Sequence, residues 1–315
     1  MQFYVGPRPH LDARRAEYRS RSYQHIDLMP LNSTIGAEIR NVQLADLNEA
    51  EFAEIEQAFY DYKVVFFRDQ ELSQEQHLEF ASRFGELEAH PFLPAGANEA
   101  VVRFEKSEDV KGYENQWHTD VSWRARPALG SVLRAIEVPS YGGDTLFADM
   151  AAAYEGLPED LRERIDDLHA VHDFMFAFGL ALPDDEREKK RAEFPPARHP
   201  LVRTHPVTGT RSIYACRVFT SHIEGISRQD SDALLNRLYD EALVPEYQCR
   251  FKWEANSVAF WDNRVVQHYA SNDYWPQRRV MERAAITGER PQGARRRLRT
   301  YRWNARTTGP PRGAR

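Results

Sequence analysis

Tyr247-Gln248-Cys249-Arg250-Phe251-Lys252-Trp253 sets Tyr, Cys, Phe and Trp in alternation with Gln, Arg and Lys. Successive side chains of a strand point to opposite faces, so this period of two predicts a strand with one buried face. Just beyond it, Val258-Ala259-Phe260-Trp261 is apolar at every position, as is Val64-Val65-Phe66-Phe67 nearer the start, and both read as buried strands. Ala100 to Phe104, Ser131 to Val138, Ile213 to Cys216 and Val280 to Thr287 continue the strand pattern. Helices flank these segments. Asn48 with Glu51, and Ser73 with Gln76, have the spacing of capping boxes. The first predicts a helix carrying Phe52, Ile55 and Phe59 as far as Lys63, the second one carrying Leu78, Phe80, Ala81 and Phe84 up to Gly85. Further helices are expected over Glu159 to Leu168 and, after Ser227, over Asp230 to Leu243. There is no internal repeat, no dinucleotide-binding glycine fingerprint and no Walker loop. The expected fold is mainly β with flanking helices, a β-sandwich or jelly roll.

A chain of 315 residues with 42% hydrophobic and 29% charged residues can bury a sizeable core. No run approaches the ~18 apolar residues of a membrane span, and no secretory apolar segment opens the chain, so a cytoplasmic location is the default. Residues 1–25 mix Arg, Pro and acids without clear periodicity and read as an N-terminal extension; 26–290 form the expected domain, and 291–315 a basic tail. Nine of the 42 Lys and Arg fall between Arg290 and Arg315, where there is no acid, so the rest of the chain sets 33 basic residues against 48 acidic ones. The tail could touch an acidic partner or nucleic acid, but a solvated end or packing arm accounts for it as well, and no nucleic-acid or membrane partner is expected.

Cys216 and Cys249 are too few for a thiolate metal site, so a metal would be held by His and carboxylate. Non-heme iron oxygenases need two imidazoles and one carboxylate on one side of the metal, and a His-x-acid pair on an extended segment supplies two of the three. Three such pairs occur: His25-Ile26-Asp27, His118-Thr119-Asp120 and His222-Ile223-Glu224. His25 precedes the first strong core segment, and His222 reads as part of a polar loop. His118 stands among Trp117, Val121 and Trp123, a setting that suits a desolvated pocket. For the second imidazole, His169 and His172 read as the end of a helix, where His is favourable against the dipole, and His199 and His205 each precede a proline in a loop. His268 follows a strand end and turn at Trp261-Asp262-Asn263-Arg264. Spacing alone leaves this choice open.

Trp117-His118-Thr119-Asp120-Val121, Tyr141-Gly142-Gly143-Asp144-Thr145-Leu146, Trp261-Asp262-Asn263-Arg264 with Gln267-His268, and Arg278-Arg279-Val280-Met281-Glu282-Arg283 together resemble the TauD/TfdA family of iron(II) and 2-oxoglutarate dependent dioxygenases. The motifs keep the family's order from about Pro30 to Arg290. The resemblance implies a double-stranded β-helix in which His118, Asp120 and His268 bind iron(II). It implies that Thr145 and Arg279 bind the distal carboxylate of 2-oxoglutarate, and that Arg283 meets the anionic end of the substrate. Dioxygen is the second cosubstrate, and succinate and CO2 accompany hydroxylation of a C–H bond. Period-two geometry agrees: Arg279, Met281 and Arg283 share one strand face, with the two arginines ~13 Å apart at ~3.3 Å per residue, so two guanidiniums could serve two anions. A solvated strand face with Glu282 as ion-pair partner is the bland alternative.

By the same resemblance His90 matches a sulfonate-contacting His, and Val121, Phe178 and Phe219 match pocket walls. Three positions depart. Leu93 stands where taurine-type members carry Tyr, Ala177 where they carry Ser, and Glu114, or Asn115 if the loop is offset, where they carry Asn. Losing hydroxyls there removes partners for an ammonium group, whose unpaired burial is costly. The expected substrate is thus a small organic anion with a less polar body: an alkyl sulfonate, alkyl sulfate or aryloxyalkanoate. If the hydroxylated carbon bears the sulfonate, sulfate or aryloxy group, the product collapses to an aldehyde or ketone. Taurine dioxygenase proper, a tailoring oxygenase of specialised metabolism, a zinc hydrolase with the same three ligands and a catalytically silent anion-binding jelly roll are the alternatives. A homo-oligomer is expected.

Overall fold

Strand Val64–Phe67 is apolar throughout because it is covered on both sides. Val64 and Phe66 point into a core with Phe147, Phe251, Trp261 and Met281, while Val65 and Phe67 pack with Ile55, Phe59, Phe80 and Phe260 beneath the helices. Ring pairs lock both layers: Phe66 stacks on Phe251 with centroids 4.1 Å apart, and Phe59 on Phe260 at 3.9 Å. Each fully buried Phe contributes about 2–3 kcal/mol of transfer free energy. The computed structural model describes residues 6, 8–19, 21–93, 98–112 and 114–293.

The large sheet runs in the order Asp27–Pro30, Ala37–Arg40, Val64–Phe67, Val258–Asp262, Ala128–Glu137, Arg279–Thr287 and Leu87–Glu88, with Val101–Lys106 also paired to Arg279–Thr287. Facing it is a three-stranded sheet in which Thr145–Asp149 lies between Gln248–Phe251 and Val266–Ala270. These two layers, with helices Glu49–Tyr62 and Gln74–Ser82 on the outer face of the large sheet, form the jelly roll that the sequence predicts. A third sheet joins Thr220–Ile223, His169–His172 and Ala197–Pro200 at one end.

Both capping boxes form. The Asn48 and Ser73 side chains accept from the backbone three residues on, and Glu51 and Gln76 reach back to the cap N–H groups. Lys63 ends the first helix in the left-handed region at φ 65°, and its Nζ lies 3.1 Å from the buried Asp149 carboxylate. The second helix stops at Ser82, before Gly85.

Three readings need correction. His169 and His172 are strand residues, because helix Glu159–Ile165 ends early and Val171 pairs between Arg198 and His222. His222 and His199 are likewise on strands rather than in loops, and His205 is buried against Asp262 at 2.9 Å. Within the N-terminal extension, Pro9–Arg19 is a helix that joins the body through buried Leu11 and through Arg14, which donates to Glu155 at 2.9 Å. Its anchorage is largely ionic, so it leaves no apolar stripe to read. The arginine-rich run from Arg295 lies outside the described residues. Among those residues no helix is long and apolar enough to cross a membrane.

Candidate metal centre and its cavity

His118 and His268 come from segments 150 positions apart and meet backbone to backbone: His118 N donates to His268 O at 3.0 Å, and His268 N to His118 O at 2.8 Å. The rings stand 4.2 Å apart. Asp120, two residues on, turns its Oδ1 to 3.8 Å from His118 Nε2 and 3.9 Å from His268 Nε2. One ligand atom from each residue lies within 4.8 Å of the others, and among the described residues no other group of three or more His, Cys, Asp or Glu does so. The rival pairs do other work: Glu224 pairs with Arg198, and the His25 backbone N–H donates to Glu54.

The donor set suits a divalent metal. His118 Nδ1 donates to Gln116 O at 2.7 Å, which leaves the Nε2 lone pair facing the cluster. Burial, reinforced by His118, lowers the His268 imidazole to about 3, so it is neutral. Burial would raise the Asp120 carboxyl, but Arg283, His268 and His118 outweigh it and hold the group well below the usual carboxylate range. Asp120 Oδ2 accepts from Ser131 Oγ at 3.0 Å, and its backbone N–H donates to Asn263 Oδ1 at 3.3 Å. Asn263 Oδ1 also accepts from Trp261 Nε1 at 3.0 Å, so this turn holds the carboxylate segment in place.

Above the cluster lies a cavity of 460 Å³. Arg279, Met281 and Arg283 line it from one strand, as period two predicts, and Glu282 faces away to Arg134 and Arg103. The bland reading of the two arginines therefore fails. Arg283 donates to Asp120 Oδ1 at 2.8 Å. Arg279 is 8% exposed, lies between the Trp253 and Tyr274 rings, and has no carboxylate within ion-pair distance among the described residues. A buried guanidinium without a counter-ion costs several kcal/mol, so this subsite fits an anion. Beside it, Thr145 Oγ1 accepts from Trp253 Nε1 at 2.9 Å. With its oxygen accepting there, the threonine O–H is left to donate elsewhere.

His90, Leu93, Glu114, Val121, Ala177, Phe178 and Phe219 also line the cavity, so Leu93 and Ala177 are wall residues rather than remote loop packing. His90 Nδ1 accepts the Phe92 and Leu93 N–H groups at 3.2 and 3.1 Å, and burial lowers the ring to about 3, leaving Nε2 as a donor. Glu114 Oε1 lies 3.0 Å from Lys106 Nζ, so its charge is met within the chain. Lys106, Trp253, Ser131 and Asn263 escaped the sequence reading. The alternation at Trp253 and the motif around Asn263 marked the positions without disclosing the contacts.

The profile of the family described as "Taurine catabolism dioxygenase TauD, TfdA family" matches residues 27–285. The chain belongs to the TauD/TfdA family. A sulfate ester dioxygenase of Pseudomonas putida dependent on alpha-ketoglutarate, that is 2-oxoglutarate, is 38% identical over 278 residues, covering 85% of this chain and 91% of that protein. The (S)-phenoxypropionate/alpha-ketoglutarate-dioxygenase of Sphingobium herbicidovorans is 34% identical over 276 residues, covering 84% and 96%. A crystal structure of a taurine dioxygenase from Burkholderia xenovorans superposes with a TM-score of 0.74 at 37% identity, covering 86% of this chain and 93% of that one. As a TauD/TfdA member the chain is a non-heme iron dioxygenase that uses iron(II), 2-oxoglutarate and dioxygen.

Proposed function

We propose that His118, Asp120 and His268 hold the iron, that Arg279 and Thr145 hold the distal carboxylate of 2-oxoglutarate, and that the chain hydroxylates a C–H of a small organic anion with an apolar body. Alkyl sulfates come first, with alkyl sulfonates and aryloxyalkanoates in the same class. The observation that carries the reading is Arg279, buried and without a counter-ion among the described residues, in the same cavity as the His-Asp-His cluster. The P. putida and S. herbicidovorans relatives, which act on a sulfate ester and a phenoxyalkanoate, support the substrate class.

Iron(II) with 2-oxoglutarate and dioxygen supplies the oxidation that leaves succinate, CO2 and a hydroxylated carbon. The chain contributes position and exclusion of water. Arg283 and the His90 Nε2–H would meet the substrate anion, and Leu93, Val121, Ala177, Phe178 and Phe219 would cover its body. Hydroxylation at the carbon bearing a sulfate breaks the C–O bond to give an aldehyde and free sulfate. Glu114, already facing Lys106, offers little to an amine, which argues against taurine. We further propose a cytoplasmic location and a homo-oligomeric state.

Succinate release with iron(II) and ascorbate, measured across alkyl sulfates, alkyl sulfonates, aryloxyalkanoates and taurine, tests this. Taurine is expected to trail the best substrate by tenfold or more, and Leu93→Tyr with Ala177→Ser to narrow that gap. Taurine turned over as fast as any other member by the unmodified chain would remove the substrate assignment.

A further inference from the structure

Val121 follows the Asp120 ligand with φ at 45°, in the left-handed region. For a β-branched residue that conformation costs about 1–3 kcal/mol and persists only where neighbours impose it. Val121 opens a turn closed by Arg124 N donating to Val121 O at 2.9 Å. The cluster side of the turn is fixed through Ser131, Arg283 and Asn263. Its far side is fixed by two imidazoles. His199 Nε2 lies 2.9 Å from Ser122 O and 3.0 Å from Arg124 O, so this nitrogen carries the N–H of the neutral ring and shares it between the two carbonyls. His172 Nδ1 lies 2.9 Å from Ser122 Oγ. Neither histidine lines the cavity, and both are at most 1% exposed.

Both imidazoles stand on the small end sheet, where Ala170 pairs with His199 and His172 with Ala197, so they project from adjacent strands on one face. Their rings are 5.2 Å apart, and Tyr214 stacks on His172 at 5.7 Å. Burying two imidazoles is expensive compared with apolar residues of that size. A purely packing role would not explain why one nitrogen of each ring, His172 Nδ1 and His199 Nε2, goes to the turn next to Asp120.

We propose that His172 and His199 are positioning residues for the metal centre: acting on Ser122 and Arg124, they clamp the 120–124 turn in the strained conformation that aims Asp120 at His118 and His268. The inference rests on the assignment of those three residues as ligands. Neighbours that orient ligand residues typically change metal affinity 10- to 100-fold when removed.

Cobalt(II) titration of the metal-free protein, followed by its visible absorption, tests the clamp without turnover. The unmodified chain is expected to bind one equivalent, and Asp120→Ala to abolish the spectrum; if the unmodified chain gives no such spectrum, the ligand assignment and the clamp fall together. His199→Leu should weaken cobalt binding about tenfold or more and alter the spectrum, while His199→Gln, which keeps a donor at the Nε2 position, should bind within about threefold of the unmodified chain. A cooperatively melting His199→Leu protein with unchanged affinity and spectrum overturns the clamp and leaves the ligands standing. Should that variant not fold, Ser122→Ala decides: it deletes the hydroxyl that His172 holds while keeping both imidazoles, and a loss of threefold or more supports the clamp whereas no loss overturns it.

Discussion

At the residue scale, Trp253 shows how one contact can divide binding from chemistry. Its indole N–H donates to the Thr145 oxygen and leaves the threonine hydroxyl free to donate to the cosubstrate in the proposed subsite. Trp253→Phe keeps the ring beside Arg279 and deletes the donor. A neutral hydrogen bond is worth about 0.5–1.5 kcal/mol, so the 2-oxoglutarate KM is expected to rise roughly 2- to 10-fold with kcat nearly unchanged. A fall in kcat at constant KM would assign Trp253 to the reacting atoms instead. The sequence exposes Trp253 as the last apolar position of an alternating strand, yet nothing in that alternation says which group its N–H meets. Lys106 is less legible still. It stands directly across from Arg279 in the ladder and reaches Glu114, a pairing between segments whose relation only the folded sheet creates.

At the scale of elements, Asp149 joins strand to helix. It ends Thr145–Asp149, caps Met150–Glu155 by accepting the Ala151 and Ala152 N–H groups at 3.0 Å, and takes Lys63 from the C-cap of another helix. Burial would raise its carboxyl, but Lys63 and Arg14 bring it down. Lys63→Met would leave a fully buried carboxylate with Arg14, 3.8 Å away, as its remaining ion-pair partner of the two. Loss of one partner of such a pair costs on the order of 3 kcal/mol, equivalent to a fall of roughly 5–10 °C in Tm. A variant that melts within about 2 °C of the unmodified chain would mean that this carboxylate does not need Lys63. The two capping boxes were readable because each lies within four consecutive residues. The strand at His169–His172 was not, since its partners come from Ala197–Pro200 and Thr220–Ile223.

For the whole molecule, buried neutral imidazoles set the acid limit. Burial is the main cause that lowers His77 and His199 to about 4, and it takes His172 well below its ordinary value. The unfolded chain protonates these rings near pH 6.5, so between about pH 6.5 and pH 4 it binds more protons than the native state. Stability therefore falls as pH falls through that window, by on the order of 1–3 kcal/mol for each of His77 and His199. Paired carboxylates such as Asp262 add their loss only below about pH 4–5, where the unfolded state starts to take up their protons. Thermal melts from pH 7 to pH 4.5 are expected to show a steady decline in Tm, and a flat profile would contradict the assignment of neutral rings. The jelly roll and the order of its strands' motifs were legible in the sequence because each strand carries its own period. The placement of the third sheet, and with it two buried histidines, depended on contacts between segments far apart in the chain.

The bridge between His118 and His268 also bears on when the proposed site could take up a metal. One ring of the pair belongs to the last fifth of the polypeptide, so during synthesis the site cannot close until residue 268 has left the ribosome and its strand has paired with Thr145–Asp149. Iron taken up in the proposed site would thus arrive once Val266–Ala270 has joined its sheet, with Arg279–Thr287 the one named strand still to follow. A truncated or nascent chain would keep at most His118 and Asp120, too few to hold a redox metal in an unfinished pocket.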